Sequence, residues 1–383
     1  MPDFFRKRTQ RLVECMRDEA IDVTLIAHPD SVYYFTAYWG DLGVEFGRPT
    51  IVVVPRDGEP VIITAAMEAE MARAMTWVDQ VLPYEDGAGG EWRDLLADAL
   101  ERFSGAVGFE RFHCPPMVTE FLRERLSDQR LRDISNPLAD LRMVKSAQEL
   151  EQVRQAGRVA VAMGEGGKNA IAEGVPEYEV CLACMTAGTR AAAQIISAED
   201  PGSLMTPVIH NLQVLNSAHF TSMTHMHPTV RKLKRGDPVY MCFCCIAHFK
   251  QLKLGYDREY FVGEVSDEQA RAYETCIAAQ RAAIDAMRPG VIAEDVHRAA
   301  VEVYRAHGFS SAYRTGRAIG YSSLEKPELK EGDKTVLQSG MVFAVDGGIT
   351  LPGKFGARVG DTLIVTDSGA ECATESPRWL TVL

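Results

Sequence analysis

The feature that most constrains the fold is a change of secondary-structure pattern at Asn136-Pro137. Before this pair, helix-like and strand-like segments alternate, beginning with an amphipathic helix predicted over 4–20 and a buried strand over 23–27. After it, long helical patterns are grouped beside strand-like runs, without strict alternation. We therefore predict an α/β domain over 1–140, and over 141–383 an α+β domain whose helices cover one face of a curved, mostly antiparallel sheet.

The second domain is predicted to contain four helices and four strands. The predicted helices cover 146–172, 176–190, 267–287 and 293–307, and the predicted strands cover 239–248, 256–262, 341–346 and 362–366. No window approaches the eighteen or so uninterrupted apolar residues of a transmembrane helix, so we expect no membrane-spanning segment.

Composition excludes several classes of partner. The formal net charge is −12, which gives no general attraction to phosphate backbones, so we expect no nucleic-acid partner. The nine cysteines lack the spacing of a disulfide framework, and the sequence opens directly into a charged segment instead of a signal peptide. We therefore expect a cytoplasmic protein.

A cluster of histidines is the densest polar feature of the sequence. His210, His219, His225 and His227 lie close together between two predicted elements. Histidine is the side chain best suited to move protons near neutral pH. Any one of these residues taken alone is better interpreted as a surface or core histidine, and a metal site would need independent carboxylates or thiolates.

Two acidic residues and one arginine stand apart from the ordinary surface charge. Asp257 lies in a strand-like stretch and Asp346 ends an apolar run, where a carboxylate needs a partner because its burial is costly. Arg48 follows an aromatic-rich segment, predicted to be a loop, and arginine binds carboxylates in a bidentate manner. On pattern alone, structural ion pairs and a binding site both remain open for these residues.

Three of the nine cysteines fall within Cys242-Phe243-Cys244-Cys245. On a buried strand, Cys242 and Cys244 would share one face. Buried cysteines commonly behave as small apolar side chains, although a soft metal or a nucleophilic role remains open.

Six short motifs occur in an order that resembles the pita-bread superfamily of creatinases, Xaa-Pro peptidases and methionine aminopeptidases. These motifs are Leu141-Arg142-Met143-Val144-Lys145-Ser146, His225-Met226-His227-Pro228-Thr229, Arg235-Gly236-Asp237, Arg288-Pro289-Gly290, Gly340-Met341-Val342-Phe343 and Gly360-Asp361-Thr362. The resemblance implies a creatinase-type α/β domain followed by a pita-bread catalytic domain, a curved antiparallel sheet covered by helices.

The resemblance also implies where a metal site would lie. Metallopeptidases of this superfamily hold two metals with two Asp, one His and two Glu. Aligned by the motifs, the two Asp positions fall at Cys242 and near Gly255, and the His position falls at Ala318. The two Glu positions fall at Asp346 and Gly360, so only one carboxylate is retained. Hard divalent metals need several oxygen or nitrogen donors. We therefore predict that the metal site is lost and that the protein uses no cofactor.

Creatinase, the metal-free branch of the superfamily, is similar in a different set of residues. Its catalytic His matches His225, and its two guanidinium-binding Glu match Asp257 and Asp346, each one methylene shorter here. Its Phe-Gly-Arg motif matches Phe46-Gly47-Arg48, which implies a homodimer in which Arg48 reaches the pocket of the neighbouring subunit. The second carboxylate-binding Arg of creatinase has no clear equivalent in this sequence.

These correspondences predict a metal-independent hydrolase that cleaves a non-peptide C–N bond in a small zwitterion with an amidine or guanidine group. The shorter Asp side chains favour a bulkier or cyclic cation, so an ectoine-like substrate is preferred over creatine. His227, Tyr256 and Glu325 are predicted to bind the substrate beside the residues named above.

Four alternatives remain open at this point. The chain could be a dimethylsulfoniopropionate-type lyase, an enzyme derived from an Xaa-Pro peptidase, or a catalytically dead pita-bread binding module. It could also be a metalloenzyme with a rebuilt thiolate site at Cys242 and Cys244.

Overall fold

The structure is a computed structural model that describes residues 2–40, 46–85, 91–209, 214–243, 249–322 and 324–383. The chain forms two compact units, Met1–Leu141 and Arg142–Leu383, and each is described by itself.

The N-terminal unit is an α/β domain built on a six-stranded mixed sheet. Its helices are α1 (Pro2–Asp18), α2 (Pro29–Thr36), α3 (Ala69–Met75), α4 (Glu91–Glu101), α5 (Pro116–Arg125) and α6 (Ser135–Met143), the last of which contains the boundary with the second unit. Its strands are β1 (Ile21–Ile26), β2 (Ile51–Pro55), β3 (Val61–Ala65), β4 (Gln80–Tyr84), β5 (Ala106–Phe109) and β6 (Leu131–Asp133). The strand order is β4-β3-β2-β1-β5-β6, with β2 antiparallel to both of its neighbours and the other pairs parallel.

The aromatic segment near residue 35 is a buried helix, whereas the sequence predicts a loop. Tyr33, Tyr34 and Phe35 lie in α2 and are at most 3% exposed. Pro29 begins this helix, where a proline is favoured because its missing N–H has no helical partner. These rings therefore contribute to the core and do not wall a binding loop.

In the residues that the structure describes, the C-terminal unit is an antiparallel sheet of eight strands with four long helices. The helices are α7 (Ala147–Ala170), α8 (Glu177–Glu199), α9 (Asp267–Ala286) and α10 (Ala293–Ala306). The strands are β7 (Val214–Ser217), β8 (Pro238–Cys242), β9 (Asp257–Phe261), β10 (Arg314–Ala318), β11 (Glu325–Lys330), β12 (Val342–Leu351), β13 (Phe355–Thr366) and β14 (Gly369–Cys372). Their order is β11-β10-β12-β13-β9-β8-β7, and β14 pairs with β13.

The two faces of this sheet differ in chemistry. On the helix side, Phe343, Val345 and Val359 belong to a core cluster that contains residues of α9 and α10. Residues that alternate with them along β12 and β13 point to the opposite face. We call this opposite face, which carries Asp346 and Gly360, the site face.

Helix α8 has the length and apolar composition of a membrane-crossing helix. It packs against α7, because a Cβ atom added at Gly167 of α7 would collide with Cys184 Sγ of α8. The same length and composition are found in core helices, and α8 buries one face, which carries Val180, Cys184 and Gly188.

Candidate active site

Four residues form a row across the site face of four adjacent strands. Cys242 of β8 pairs with Asp257 of β9, and Asp257 pairs with Gly360 of β13. Gly360 in turn pairs with Asp346 of β12. Residues that pair directly across antiparallel strands point to the same face. The strand register therefore brings the two predicted carboxylates together on either side of a glycine.

The two carboxylates converge on the space where Gly360 has no side chain. An ideal Cβ atom at Gly360 would lie 2.8 Å from Asp257 Oδ2 and 2.8 Å from Asp346 Oδ1. Asp257 is 3% exposed, and Asp346 Oδ1 is buried without a hydrogen-bond partner among the described residues. Leaving a buried polar atom unpaired is costly, so the pair is suited to accept hydrogen bonds from a cationic donor.

Arg317 of β10, which the sequence pattern does not single out, lies beside this pair. Its Nη1 atom is 3.3 Å from Asp346 Oδ2, and its side chain is 7% exposed. Arg317 pairs with Ala344 of β12, whereas Ala318 pairs with Phe343 and belongs to the helix-side core. The position that the motifs align with a metal-binding His, Ala318, therefore faces away from the carboxylates. The signal for Arg317 in the sequence is a charged residue within a short run of small and apolar ones.

The ionisation of Asp346 depends on its neighbours. Burial raises the pKa of Asp346, while Arg317 and Arg314 of β10 lower it and Asp361 raises it further. The guanidinium groups of β10 therefore favour the charged form of a carboxylate that burial would otherwise protonate.

Glu259 is a second buried carboxyl group on β9. Burial raises the pKa of Glu259 to about 8, against a hydrogen bond from the backbone of Arg358 and the charge of its guanidinium. Its Oε2 atom accepts the Arg358 N–H at 2.8 Å, and its Oε1 atom has no hydrogen-bond partner among the described residues. Glu259 is therefore largely protonated near neutral pH.

His225 lies on an exposed turn that is tied to β13 at two points. Gly356 N donates a hydrogen bond to Thr221 Oγ1 at 2.9 Å, ahead of the turn. Arg358 Nη2 donates to Thr224 Oγ1 at 2.6 Å, next to the histidine itself. Because Arg358 lies two residues before the glycine of the row, both point to the site face. These contacts connect the histidine turn to the strand between the two carboxylates.

Behind the row, a buried ion cluster holds β9 and β13 together. Arg258 Nη1 donates to the backbone carbonyls of Asp257 at 2.7 Å and Gly360 at 2.9 Å. Arg258 Nη2 bonds to Asp361 Oδ1 at 2.9 Å, and Arg378 Nε bonds to Asp361 Oδ2 at 2.6 Å. The cluster fixes the backbone on both sides of the gap over Gly360.

Tyr256, a predicted substrate-binding residue, lies on the helix side of the sheet. Its hydroxyl lies 2.8 Å from Ser376 Oγ. Its ring packs against Gly164 of α7, because a Cβ atom added to Gly164 would lie 2.7 Å from the phenol oxygen. Adjacent residues of an extended chain point to opposite faces, so Asp257 on the site face leaves Tyr256 on the helix side. The contacts of Tyr256 are those of a packing residue.

Glu325 is another predicted substrate-binding residue. Its Oε2 atom forms an ion pair with Lys145 Nζ at 2.6 Å, and the two side chains are at most 2% exposed. Its Oε1 atom accepts the backbone N–H groups of Tyr321 at 2.9 Å and Ser322 at 3.2 Å. Glu325 therefore holds the loop before β11, and its contacts do not favour the predicted role in substrate binding.

Of the remaining predicted binding residues, Phe46 and His227 are exposed and Arg48 is half-buried. His227 is exposed on the same loop as His225. Phe46 and Arg48 belong to the N-terminal unit, where the guanidinium carbon of Arg48 is 5.6 Å from the centre of the Phe46 ring. The reach of Arg48 into a neighbouring subunit stays a prediction.

The cysteine segment is described only in part. Cys242 is a buried cysteine outside any disulfide that packs with Val214 and Tyr240, while Cys244 and Cys245 lie outside the described residues. Within the part of the chain that the structure describes, no three His, Cys, Asp or Glu side chains are grouped so as to hold a metal ion. A thiol and two carboxylates, one of them paired with a guanidinium, do not fit a site for two hard divalent metals.

Known proteins are similar to this chain over nearly its whole length. Residues 8–144 match the creatinase/prolidase N-terminal domain, and residues 151–367 match metallopeptidase family M24. The agropine synthesis cyclase of Rhizobium rhizogenes is 29% identical over 97% of this chain and 96% of its own length. The creatinase of a Bacillus species is 28% identical over 97% of this chain and 90% of its own length.

A solved structure is similar in fold. The Xaa-Pro dipeptidase from Bacillus anthracis covers 99% of this chain and 100% of its own with a TM-score of 0.83 and 22% sequence identity. With the two matched families, this likeness confirms the predicted fold class, an α/β domain followed by an antiparallel sheet with helices.

Proposed function

Since the chain belongs to metallopeptidase family M24 and has a creatinase/prolidase N-terminal domain, we propose that it is a hydrolase of this family that acts on a small amidine or guanidine carboxylate. The observation that carries the proposal is the convergence of Asp257 and Asp346 on the space over Gly360. A planar, delocalised cation can donate charge-assisted hydrogen bonds to two carboxylates at once, which fixes its orientation. The similarity to a creatinase over nearly the whole chain supports the same class of substrate.

In the proposed reaction, His225 moves the proton. The imidazole accepts a proton from water while the water oxygen forms a bond to the amidine carbon. The C–N bond then breaks, and the proton taken by His225 passes to the leaving nitrogen. The tie between Thr224 and Arg358 supports this role, because it holds the histidine turn against the strand that contains Gly360.

We propose that this reaction needs no resident metal ion. The donor set supports this view, because the row offers two carboxylates and a thiol and places Arg317 against one of the carboxylates. The two carboxylates are proposed to bind an organic cation instead. No step of the proposed reaction is assigned to a metal.

The substrate is proposed to be an ectoine-like cyclic cation in preference to creatine. The reason is the length of the acidic side chains, because Asp leaves more space over Gly360 than Glu would. Arg48 from a second copy of the chain is proposed to bind the substrate carboxylate in a homodimer.

A cyclisation is the second candidate. It is favoured by the agropine synthesis cyclase, which matches this chain over almost its full length. In a ring closure, the attacking group belongs to the substrate and water is not consumed. The same carboxylates and histidine could orient and deprotonate such a group.

A ligand panel followed by product analysis tests the proposal. Thermal-shift measurements with ectoine, hydroxyectoine, creatine, arginine derivatives, sulfonium zwitterions and Xaa-Pro dipeptides should show stabilisation by amidine or guanidine carboxylates. Mass spectrometry of the product should show the gain of one water, whereas its loss would favour the cyclisation. Stabilisation by dipeptides alone would contradict the proposal.

A matched pair of variants tests the role of the histidine. His225→Ala should abolish turnover and leave the folded structure intact. His219→Ala, an exposed histidine stacked on Phe220, should turn over normally. Equal activity of the two variants would reject the role of His225 as the proton carrier.

A further inference from the structure

Asn216 of β7 contacts the turn that carries His225, through a hydrogen bond to the backbone of the next residue, Met226. We propose that Asn216 is a positioning residue, which fixes the backbone on the C-terminal side of His225 and thereby keeps the imidazole in place for proton transfer. The inference rests on the role of His225 in the proposed function. It adds a residue that neither binds the cation nor carries the proton.

His225 lies in a tight turn of four residues. Met226 N donates a hydrogen bond to Met223 O at 3.0 Å, which closes the turn with His225 in its third position. His225 is exposed, so its orientation depends on how its neighbours in the chain are held. A proton carrier must stay within hydrogen-bond reach of the reacting atoms, which makes the backbone of this turn important for the reaction.

The residues on both sides of His225 are tied to the sheet. Arg358 of β13 reaches the residue before it, because its Nη2 atom donates to Thr224 Oγ1 at 2.6 Å. Asn216 of β7 reaches the residue after it, because its Nδ2 atom donates to the carbonyl oxygen of Met226 at 3.1 Å. The turn is therefore held at two points by two different strands.

Asn216 points to the site face of the sheet. It pairs with Tyr240 of β8, which packs with Cys242, and Cys242 pairs with Asp257 in the row described above. Residues that pair directly point to the same face, and so do residues two positions apart on one strand. The face that carries the two carboxylates therefore also carries the contact to the histidine turn.

The burial of Asn216 is costly for the fold. The residue is 0% exposed, and its Oδ1 atom has no hydrogen-bond partner among the residues that the structure describes. An apolar side chain of similar size would avoid the cost of burying this oxygen. It could not donate a hydrogen bond to Met226, since only the amide nitrogen supplies that contact. We therefore assign Asn216 to the position of the turn and not to the stability of the sheet.

Ser217, the next residue of β7, supplies a matched control. It is also 0% exposed, and its Oγ atom donates to Glu177 Oε1 at 2.6 Å. The other oxygen of Glu177 accepts Thr229 N at 2.8 Å and Thr229 Oγ1 at 2.7 Å. As the neighbour of Asn216 on a strand, Ser217 points to the helix side. Ser217→Ala should therefore lower the melting temperature and keep the wild-type kcat.

Kinetics of the full chain with the substrate found in the ligand panel test the proposal. Asn216→Leu should lower kcat by on the order of 10- to 100-fold, because a small displacement of a catalytic group has effects of this size. Its KM and its melting temperature should stay close to those of the wild type. A folded Asn216→Leu protein with the wild-type kcat would overturn the inference, and so would an equal loss of kcat in Ser217→Ala.

Asn216→Asp keeps the size of the side chain and carries the test if Asn216→Leu does not fold. Its ionised carboxylate cannot donate to the carbonyl of Met226, whereas its protonated form can. The ratio of its kcat to that of the wild type should therefore rise as the pH falls. A ratio near one at every pH would overturn the inference.

Two measurements without turnover keep the inference separate from the proposed function. Hydrogen exchange of the amides in 223–227, followed by mass spectrometry, should be faster in Asn216→Leu by on the order of tenfold and unchanged in Ser217→Ala. Acetamidinium, a small amidine cation, should bind to Asn216→Leu as it binds to the wild type, because the carboxylates are untouched. Unchanged exchange in Asn216→Leu, or weakened binding of acetamidinium, would overturn the inference. An inactive ligand panel would reject the proposed function, while the exchange rates would still decide whether Asn216 holds the turn.

Discussion

The absent side chain at Gly360 leads to the sharpest prediction. In Gly360→Ala, the new Cβ atom would stand 2.8 Å from an oxygen of each carboxylate, while ordinary contact begins at 3.4 Å, so each oxygen must retreat by about 0.6 Å. Such a shift is feasible, because the colliding atoms are the ends of the Asp257 and Asp346 side chains. A charge-assisted hydrogen bond contributes about 1.5–3 kcal/mol. Losing one such bond should therefore raise the KM or Kd for the cation by on the order of 10- to 100-fold.

The fold should tolerate this change. Alanine loses less backbone entropy on folding than glycine does, which offsets the cost of displacing the two side chains, so the free energy of unfolding should change by less than about 1 kcal/mol. The assay is calorimetric titration with acetamidinium, together with urea unfolding. Gly348→Ala is the matched control, because its Cβ atom would make only an ordinary 3.7 Å contact with Arg358. A folded Gly360→Ala protein that binds the cation as tightly as the wild type would refute the account of the gap.

Three further predictions concern the surroundings of the site. Lys145→Met leaves Glu325 charged and buried, so it should lower the free energy of unfolding by about 3–5 kcal/mol in urea titrations. The double variant Lys145→Met/Glu325→Gln should recover part of this loss. An unchanged free energy of unfolding in Lys145→Met would contradict a stabilising ion pair. Because burial raises the pKa of Glu259 from its ordinary 4.5 to about 8, the folded state retains a proton that the unfolded state loses. Stability should therefore decline as pH rises between these two values, and Glu259→Gln should remove that part of the decline in unfolding measured across pH. Tyr256→Phe should lower stability by about 1 kcal/mol through the lost contact with Ser376 and leave KM unchanged, whereas a raised KM would restore Tyr256 to the substrate site.

Local signals account for the parts of the fold that the sequence predicts well. Helices α7 and α9 begin within one residue of the prediction, because Ser146 and Ser266 each form a capping box with the residue three positions later. Helix α8 runs to Glu199, beyond the predicted end at residue 190. The sequence pattern does not predict strands β10 and β11, which pair with each other, because Arg314–Ala318 and Glu325–Lys330 are rich in charged residues.

The sequence predicts those residues of the candidate site that are recognisable as carboxylates on strands. Asp257 and Asp346 were identified as carboxylates on strands, and the register sets them on either side of Gly360. Tyr256 is predicted to bind substrate beside Asp257, although adjacent residues of a strand point to opposite faces. Arg317 is not predicted, because the pairing of β10 decides that it, and not its neighbour, faces Asp346.

The central claim is that this family member works through histidine and paired carboxylates without a metal ion. The most direct test measures the turnover of a metal-free enzyme, which has been stripped with chelators and checked by mass spectrometry. The substrate is the amidine or guanidine carboxylate that binds best in the ligand panel. The account predicts the same kcat before and after stripping, and no increase when Mn²⁺ or Zn²⁺ is added. If stripping abolishes the activity and a stoichiometric amount of either ion restores it, the metal-independent mechanism is contradicted.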